Sequence, residues 1–221
     1  MIDFTALATE CSPDIHPKTI QAVVRTESSY NPFAIGVVNG KLSRQPHNIS
    51  EAVSTANMLE KSGYNYSLGL SQVNKHNLHH YGLTLASAFS PCTNIKTGAQ
   101  ILKACYTQAE SKSSNPQTAL RAALSCYYSG NMTTGFVKDY NNTSYVQRVV
   151  NNAVLAKNEN PAMAIPEIAP DSTPDAITVK PVQPPKEKVA PFIATPPDEK
   201  GNTDSDNNKS KGQSWDVFND F

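Results

Sequence analysis

The sequence predicts a mainly α-helical domain over residues 1–157, followed by a disordered, Pro-rich C-terminal tail. Three observations carry this reading. Apolar residues recur at helical spacing through the first part and lose all periodicity beyond it. Ten of the 16 prolines fall after residue 157. Formal charge is zero over the 221 residues, yet the first part holds 13 basic and 8 acidic residues and the rest 6 and 11, nets of +5 and −5. A proline-rich acidic segment buries too little apolar surface to offset the entropy of ordering it.

Pro13 and Pro17 punctuate the start. From Lys18 to Tyr30, the residues Ile20, Val23 and Val24 recur at helical spacing. Asn31-Pro32 closes the segment, because a proline disfavours the helical conformation in the residue before it. Residues 33–49 mix Gly36, Gly40 and Pro46 with short apolar pieces, which predicts a loop able to hold a hairpin. Ser50 reads as the cap of an amphipathic helix through Ala52, Val53, Ala56 and Leu59, stopped by Gly63. Ser67 to Tyr81 predicts the start of another helix. Residues 93–109 carry Ile95, Ala99, Ile101, Leu102 and Ala109, and Gln117 to Tyr128 is dense in Ala and Leu. A last helix with Tyr145, Val146, Val149, Val150 and Val154 closes the domain near Lys157. Residues 158–213 predict an extended, disordered linker. Residues 214–221 regain aromatics at spacing three, Trp215, Phe218 and Phe221, and predict a short docking motif for a partner.

No apolar run approaches the roughly 18 residues a membrane-spanning helix needs, so no transmembrane segment is expected. The first residues, MIDFTALATEC, lack the basic and apolar regions of an ordinary secretory signal. Cys11, Cys92, Cys105 and Cys126 show no metal-ligand spacing. They allow either buried thiols or two disulfides in any of three pairings, and disulfides would imply an oxidising compartment such as the periplasm. His76, His79 and His80 share a face if their segment is helical, but no acid or cysteine lies nearby; they read as a polar surface patch, with no metal or cofactor expected. The positive charge is not gathered into a stripe, which argues against nucleic acid as a partner.

Glu27 follows Val23 and Val24 by four and three residues, so helix geometry places it on the stripe those valines send inward. A carboxyl among apolar neighbours keeps its proton to higher pH, as a general acid requires. Its company sharpens the reading. Glu27-Ser28-Ser29-Tyr30-Asn31-Pro32, then Gly69-Leu70-Ser71-Gln72-Val73-Asn74, then Pro91 to Ala99, then Ala123-Leu124-Ser125-Cys126-Tyr127-Tyr128-Ser129-Gly130-Asn131 follow in order. Together they resemble the motifs of the lysozyme-like, SLT-type lytic transglycosylases. The long stretch between the first two motifs and the Trp-Asp-Val-Phe end are similar to the members encoded with VirB-type type IV secretion systems.

The resemblance implies a lysozyme-like fold, with Glu27 as catalytic acid and base. It also implies that Ser28, Gln72 and Tyr127 bind substrate, with Gln72 in the saccharide groove and Tyr127 pointing at the catalytic carboxyl. Ser71 and Tyr128 depart from the common pattern, in which Met and Asn stand there. The implied substrate is peptidoglycan in the periplasm, and the implied partners are secretion-system components, met through Trp215, Phe218 and Phe221. Inventory bears on the reaction. Hydrolysis by the usual routes needs two carboxylates flanking the bond, and between Ser28 and Ala109 only Glu51 and Glu60 are acidic, both on the solvated face of a helix. One carboxyl suffices if the sugar's own C6 hydroxyl replaces water and leaves a 1,6-anhydro product. A non-catalytic peptidoglycan-binding scaffold and a hydrolytic lysozyme are the alternatives.

Overall fold

A computed structural model describes residues 2–139, 142–155, 162–163 and 176–181. Among the described residues there are seven α-helices, most of them started by a capping side chain or a proline. α1 (Phe4–Cys11) starts from Asp3, whose carboxylate accepts from the Thr5 amide, and α2 (Pro17–Ser28) opens on proline with the His16 ring accepting from Lys18 N. α3 (Ile49–Lys61) is capped by Asn48, not Ser50: the Asn48 side chain accepts from Glu51 N. α4 (Lys75–Leu78) is a single turn. α5 (Pro91–Glu110) and α6 (Pro116–Ser129) both open on proline, where the missing N–H costs nothing. Gly130 stops α6 in the left-handed conformation, and α7 (Tyr145–Leu155) follows.

The strands are short: β1 (Ile2–Asp3), β2 (Ile35–Val37), β3 (Gly40–Leu42), β4 (Tyr66–Leu68), β5 (Val73–Asn74), β6 (Ala162–Met163) and β7 (Val179–Pro181). β1 pairs with β6, and the other five form an antiparallel sheet in the order β5-β4-β2-β3-β7. Ile35 faces Leu68 and Val37 faces Tyr66 across β2 and β4.

Two cores result. Phe4, Ile20, Val23, Leu102, Leu124 and Val149 join α1, α2, α5, α6 and α7 into a helical lobe. Leu59, Tyr66, Leu68, Phe89 and Ile177 join α3 to the sheet. α5 belongs to both, giving Ile95 to the first and Ile101 to the second, and Tyr127 packs against each. Disulfides link Cys11 to Cys92 and Cys105 to Cys126, selecting one of the three pairings. They tie α1 and α6 to α5, and cross-links closing loops of this size restrict the unfolded chain by roughly 3 to 5 kcal/mol each.

The structure corrects the sequence reading in two further places. Residues 4–11 form α1, which no pattern had marked. Residues 67–81 are not a helix but β4, a tight turn, β5 and the four residues of α4. Gly69 and Gln72 take φ of +74° and +47°, which no helix admits. Within residues 158–213, read as a disordered linker, the structure describes β6 and the segment 176–181. There, Ile177 and Val179 alternate with exposed Thr178 and Lys180 and find a sheet edge to cover. The remainder of that range and the motif of Trp215, Phe218 and Phe221 lie outside the described residues.

The turn between β4 and β5 hangs on Asn94, which is fully buried. Its Oδ1 accepts from Ser71 N at 2.6 Å, while its Nδ2 donates to Leu68 O at 2.9 Å and Ala88 O at 2.7 Å. Gly69 makes this approach possible, since a Cβ there would lie 2.4 Å from Asn94 Nδ2. Replacing Asn94 by Ala removes three partners from buried backbone groups. At about 1 kcal/mol or more for each, urea unfolding followed by circular dichroism will show a loss of roughly 3 kcal/mol.

Candidate active site

Ile20, Val23 and Val24 are fully buried on α2, and Glu27 continues their stripe one turn later. The helix then breaks, with Ser29 and Tyr30 both in the left-handed region, so Glu27 sits at a helix end facing the gap between the lobes. That gap is an open groove of about 370 Å³. Gly36, Val37 and Val38 of the β2–β3 hairpin form one wall, and Tyr127, Tyr128, Ser129 and Gly130 at the end of α6 form part of another. Asn65, Ser67 and Asn74 line it from the sheet: Asn74 Nδ2 donates to Asn65 Oδ1 at 2.9 Å and to Ser67 Oγ at 3.3 Å. A groove with an apolar wall and fixed amides suits a sugar chain, which offers both hydroxyls and apolar ring faces.

Burial of the Glu27 carboxyl raises its pKa from 4.5 to about 7. Two neighbours pull the other way without prevailing. Tyr145 Oη donates to Glu27 Oε1 at 2.6 Å, and Arg148 adds positive charge. Arg148 turns its Nη1 elsewhere, pairing with Asp139 and donating to Thr143 O at 3.2 Å. The residue as a whole is only half-buried because the groove opens onto it, so the proton is both held and reachable. Tyr145 is itself pushed well above its usual range by burial and by the Glu27 charge, which keeps it a donor. Its ring stacks on Tyr128, centroids 4.5 Å apart with 14° between planes.

Of the residues implied by motif, Glu27, Gln72 and Tyr127 come together at the groove and Ser28 does not. The Ser28 hydroxyl donates to Val24 O at 3.1 Å within its own helix. Gln72 Nε2 donates to Gly69 O at 2.8 Å and Ala34 O at 3.1 Å. This leaves Oε1 over Gly36, where a Cβ would approach it to 2.6 Å. Tyr127 lies close enough to feel the Glu27 charge, but its hydroxyl donates to Ser71 O at 2.5 Å. The tyrosine that touches the carboxyl is Tyr145. The sequence reading placed it only on an apolar helix stripe, and no local signal reveals a partner 118 positions away.

No second carboxylate lines the groove among the described residues. Glu51 is held by both Arg44 nitrogens at 2.7 Å and by His47 N, which lowers its pKa to about 2. Glu60 accepts from Tyr66 Oη at 2.8 Å and pairs with Lys75 at 3.1 Å, and these partners hold its pKa below the usual value.

A single acid kept protonated near neutrality, set in a groove between a helical lobe and a small sheet, has the makings of a general acid. Comparison with known proteins agrees. Residues 4–149 match the transglycosylase SLT domain family. The chain is 49% identical over 177 residues to "Type IV secretion system protein virB1" of Brucella abortus, across 80% of this chain and 73% of that protein. The protein of the same name in Brucella suis matches equally. "Protein virB1" of Agrobacterium fabrum is 31% identical over 140 residues, across 62% of this chain and 56% of that protein. The chain belongs to the SLT-domain transglycosylases and, within them, to the VirB1-type lytic transglycosylases.

The raised pKa has a sign that stability can test. Below pH 4.5, Glu27 is protonated whether folded or unfolded. Between 4.5 and about 7 only the unfolded chain ionises, so stability falls, and above 7 the whole penalty is present. Glu27→Gln, which cannot ionise, will therefore stabilise the protein at pH 8 by up to about 3 kcal/mol and leave it unchanged at pH 4, read by urea unfolding at both.

Proposed function

We propose that this chain cleaves the β-1,4 bond between MurNAc and GlcNAc in peptidoglycan without water, leaving a 1,6-anhydroMurNAc end. The observation that supports it most is the solitary Glu27 carboxyl, its pKa raised to about 7, in a groove lined by no other acid among the described residues. With Tyr145 donating to Oε1, the proton belongs on Oε2, free to reach the glycosidic oxygen. Transfer of that proton breaks the C1–O bond, the electron pair leaving with the GlcNAc oxygen. The acetamido oxygen of the same MurNAc closes on C1 and carries the positive charge. Glu27, now a carboxylate, takes the proton of the C6 hydroxyl; O6 attacks C1 and displaces the acetamido oxygen. Glu27 ends as it began, and no second carboxylate is required.

The wider setting follows the relatives. Proteins named for type IV secretion, and two disulfides that suit an oxidising compartment, support action in the periplasm, where local opening of the wall would make room for a secretion complex. The components that Trp215, Phe218 and Phe221 would meet belong to the same reading.

The test is digestion of purified peptidoglycan by the full chain and three variants, with the soluble muropeptides weighed. Products lighter by one water than hydrolytic ones are expected. Glu27→Gln will lose at least about 100-fold in rate, while Glu51→Gln and Glu60→Gln stay within about twofold. Loss in either of the latter with folding intact would restore a hydrolytic lysozyme, and binding without release by the native chain would favour a scaffold.

A further inference from the structure

Residues 176–181 lie beyond the segment that matches the SLT domain, yet they are built into the sheet lobe. Ile177 is 5% exposed and belongs to the core that holds Leu59, Tyr66 and Phe89. Its amide donates to the buried Thr55 Oγ1 at 3.1 Å, and Ser43 N donates to Thr178 O at 3.0 Å. Val179 stands opposite Leu42. A Cβ on Gly40 would come 2.9 Å from Val179 Cγ1 and 3.1 Å from Val37 Cγ1, so the two valines pack on either side of that glycine. Val37 and its neighbour Val38 line the groove. A continuous line of contact thus runs from the tail segment, across Gly40, to the wall opposite Tyr127 and Tyr128.

The β2–β3 hairpin needs such support. β2 is held by three pairs to β4, but the three residues of β3 meet β2 only at Val37 and Gly40, too little to fix β3 and the turn without a partner on its other edge. β7 covers its outer edge and anchors it to α3 through Thr55. The anchoring is also easily reversed. Lys41 stands directly opposite Lys180, both exposed, and like charges across a strand pair weaken it. Docking therefore depends on Ile177 and Val179.

We propose that residues 176–181 are a strand clamp that positions the hairpin wall of the groove, so that the tail sets the affinity for glycan while Glu27 sets the chemistry. This rests on the reading of the groove as a glycan site. The clamp and the bound glycan both favour the same wall position, so each strengthens the other.

The full chain carrying Ile177→Asp tests it, with Ile177→Val as the conservative control. On soluble peptidoglycan strands, Ile177→Asp will raise KM about fivefold or more with kcat within about twofold, and Ile177→Val will behave as the native chain. Hydrogen exchange reads docking directly. The Ser43 and Ile177 amides will be protected in the native chain, further protected when peptidoglycan strands bind the Glu27→Gln chain, and unprotected in Ile177→Asp. An unchanged KM in Ile177→Asp with those amides unprotected would overturn the proposal. If Ile177→Asp fails to fold, the exchange of the Glu27→Gln chain decides: no gain in protection at Ser43 and Ile177 on glycan binding would overturn it as well. A native chain that releases no anhydro product would instead sink the reading of the reaction, while its amide protection still reports the clamp.

Discussion

The structure turns on the desolvation of one carboxyl. Glu27 is carried inward by the stripe of Ile20, Val23 and Val24, which the helical lobe must bury in any case. The acid is thus placed by the same periodicity that makes the core. Holding it there destabilises the fold above neutral pH, and packing elsewhere in the two lobes has to offset that. Tyr145 and Arg148 moderate the penalty without removing it. A stronger ion pair would discharge the proton that the proposed reaction needs, and Arg148 pairs with Asp139 instead.

The second lobe supplies surface rather than chemistry. Its sheet is too small to stand alone, and what holds it is a set of close backbone approaches around α5. Asn94 fixes the turn of Gly69 to Gln72. Gly98 lets that turn seat against α5, since a Cβ there would lie 2.5 Å from Ser71 Cβ. Tyr127 then closes over it by donating to Ser71 O. Ser71 is completely buried with its hydroxyl unpartnered, which makes it a site chosen for size. Gln72, one residue on, is aimed into the groove by this arrangement. The line from α5 to the turn to Gln72 joins fold to site, and Tyr127, packed on both cores, ties the two lobes at the same place.

How much of this the sequence displays depends on the range of the interaction. Helices α2, α3, α5, α6 and α7 show in periodicity and in Pro or Gly punctuation, because those signals are local. The inward direction of Glu27 is equally local, being three and four residues from two valines. Gln72 and Tyr127 come from ordered motifs and not from any pattern of their own. What escapes is whatever depends on a distant partner: Tyr145 on Glu27, the strand character of Tyr66–Leu68, whose neighbour is the hairpin, and the order at Ile177 and Val179. The composition around those last two favours disorder, and only the open edge of β3, more than a hundred residues earlier, gives them something to cover. Ser28 lies off the groove, and its hydroxyl finds an acceptor in its own helix.

The central claim, that one carboxyl suffices because the sugar attacks itself, is tested most directly by running the digestion in water enriched in oxygen-18 and weighing the released muropeptides. The account predicts anhydro products without label, since no solvent oxygen enters the broken bond. One labelled oxygen at each new MurNAc end, with the mass of a full water added, would show hydrolysis and contradict it.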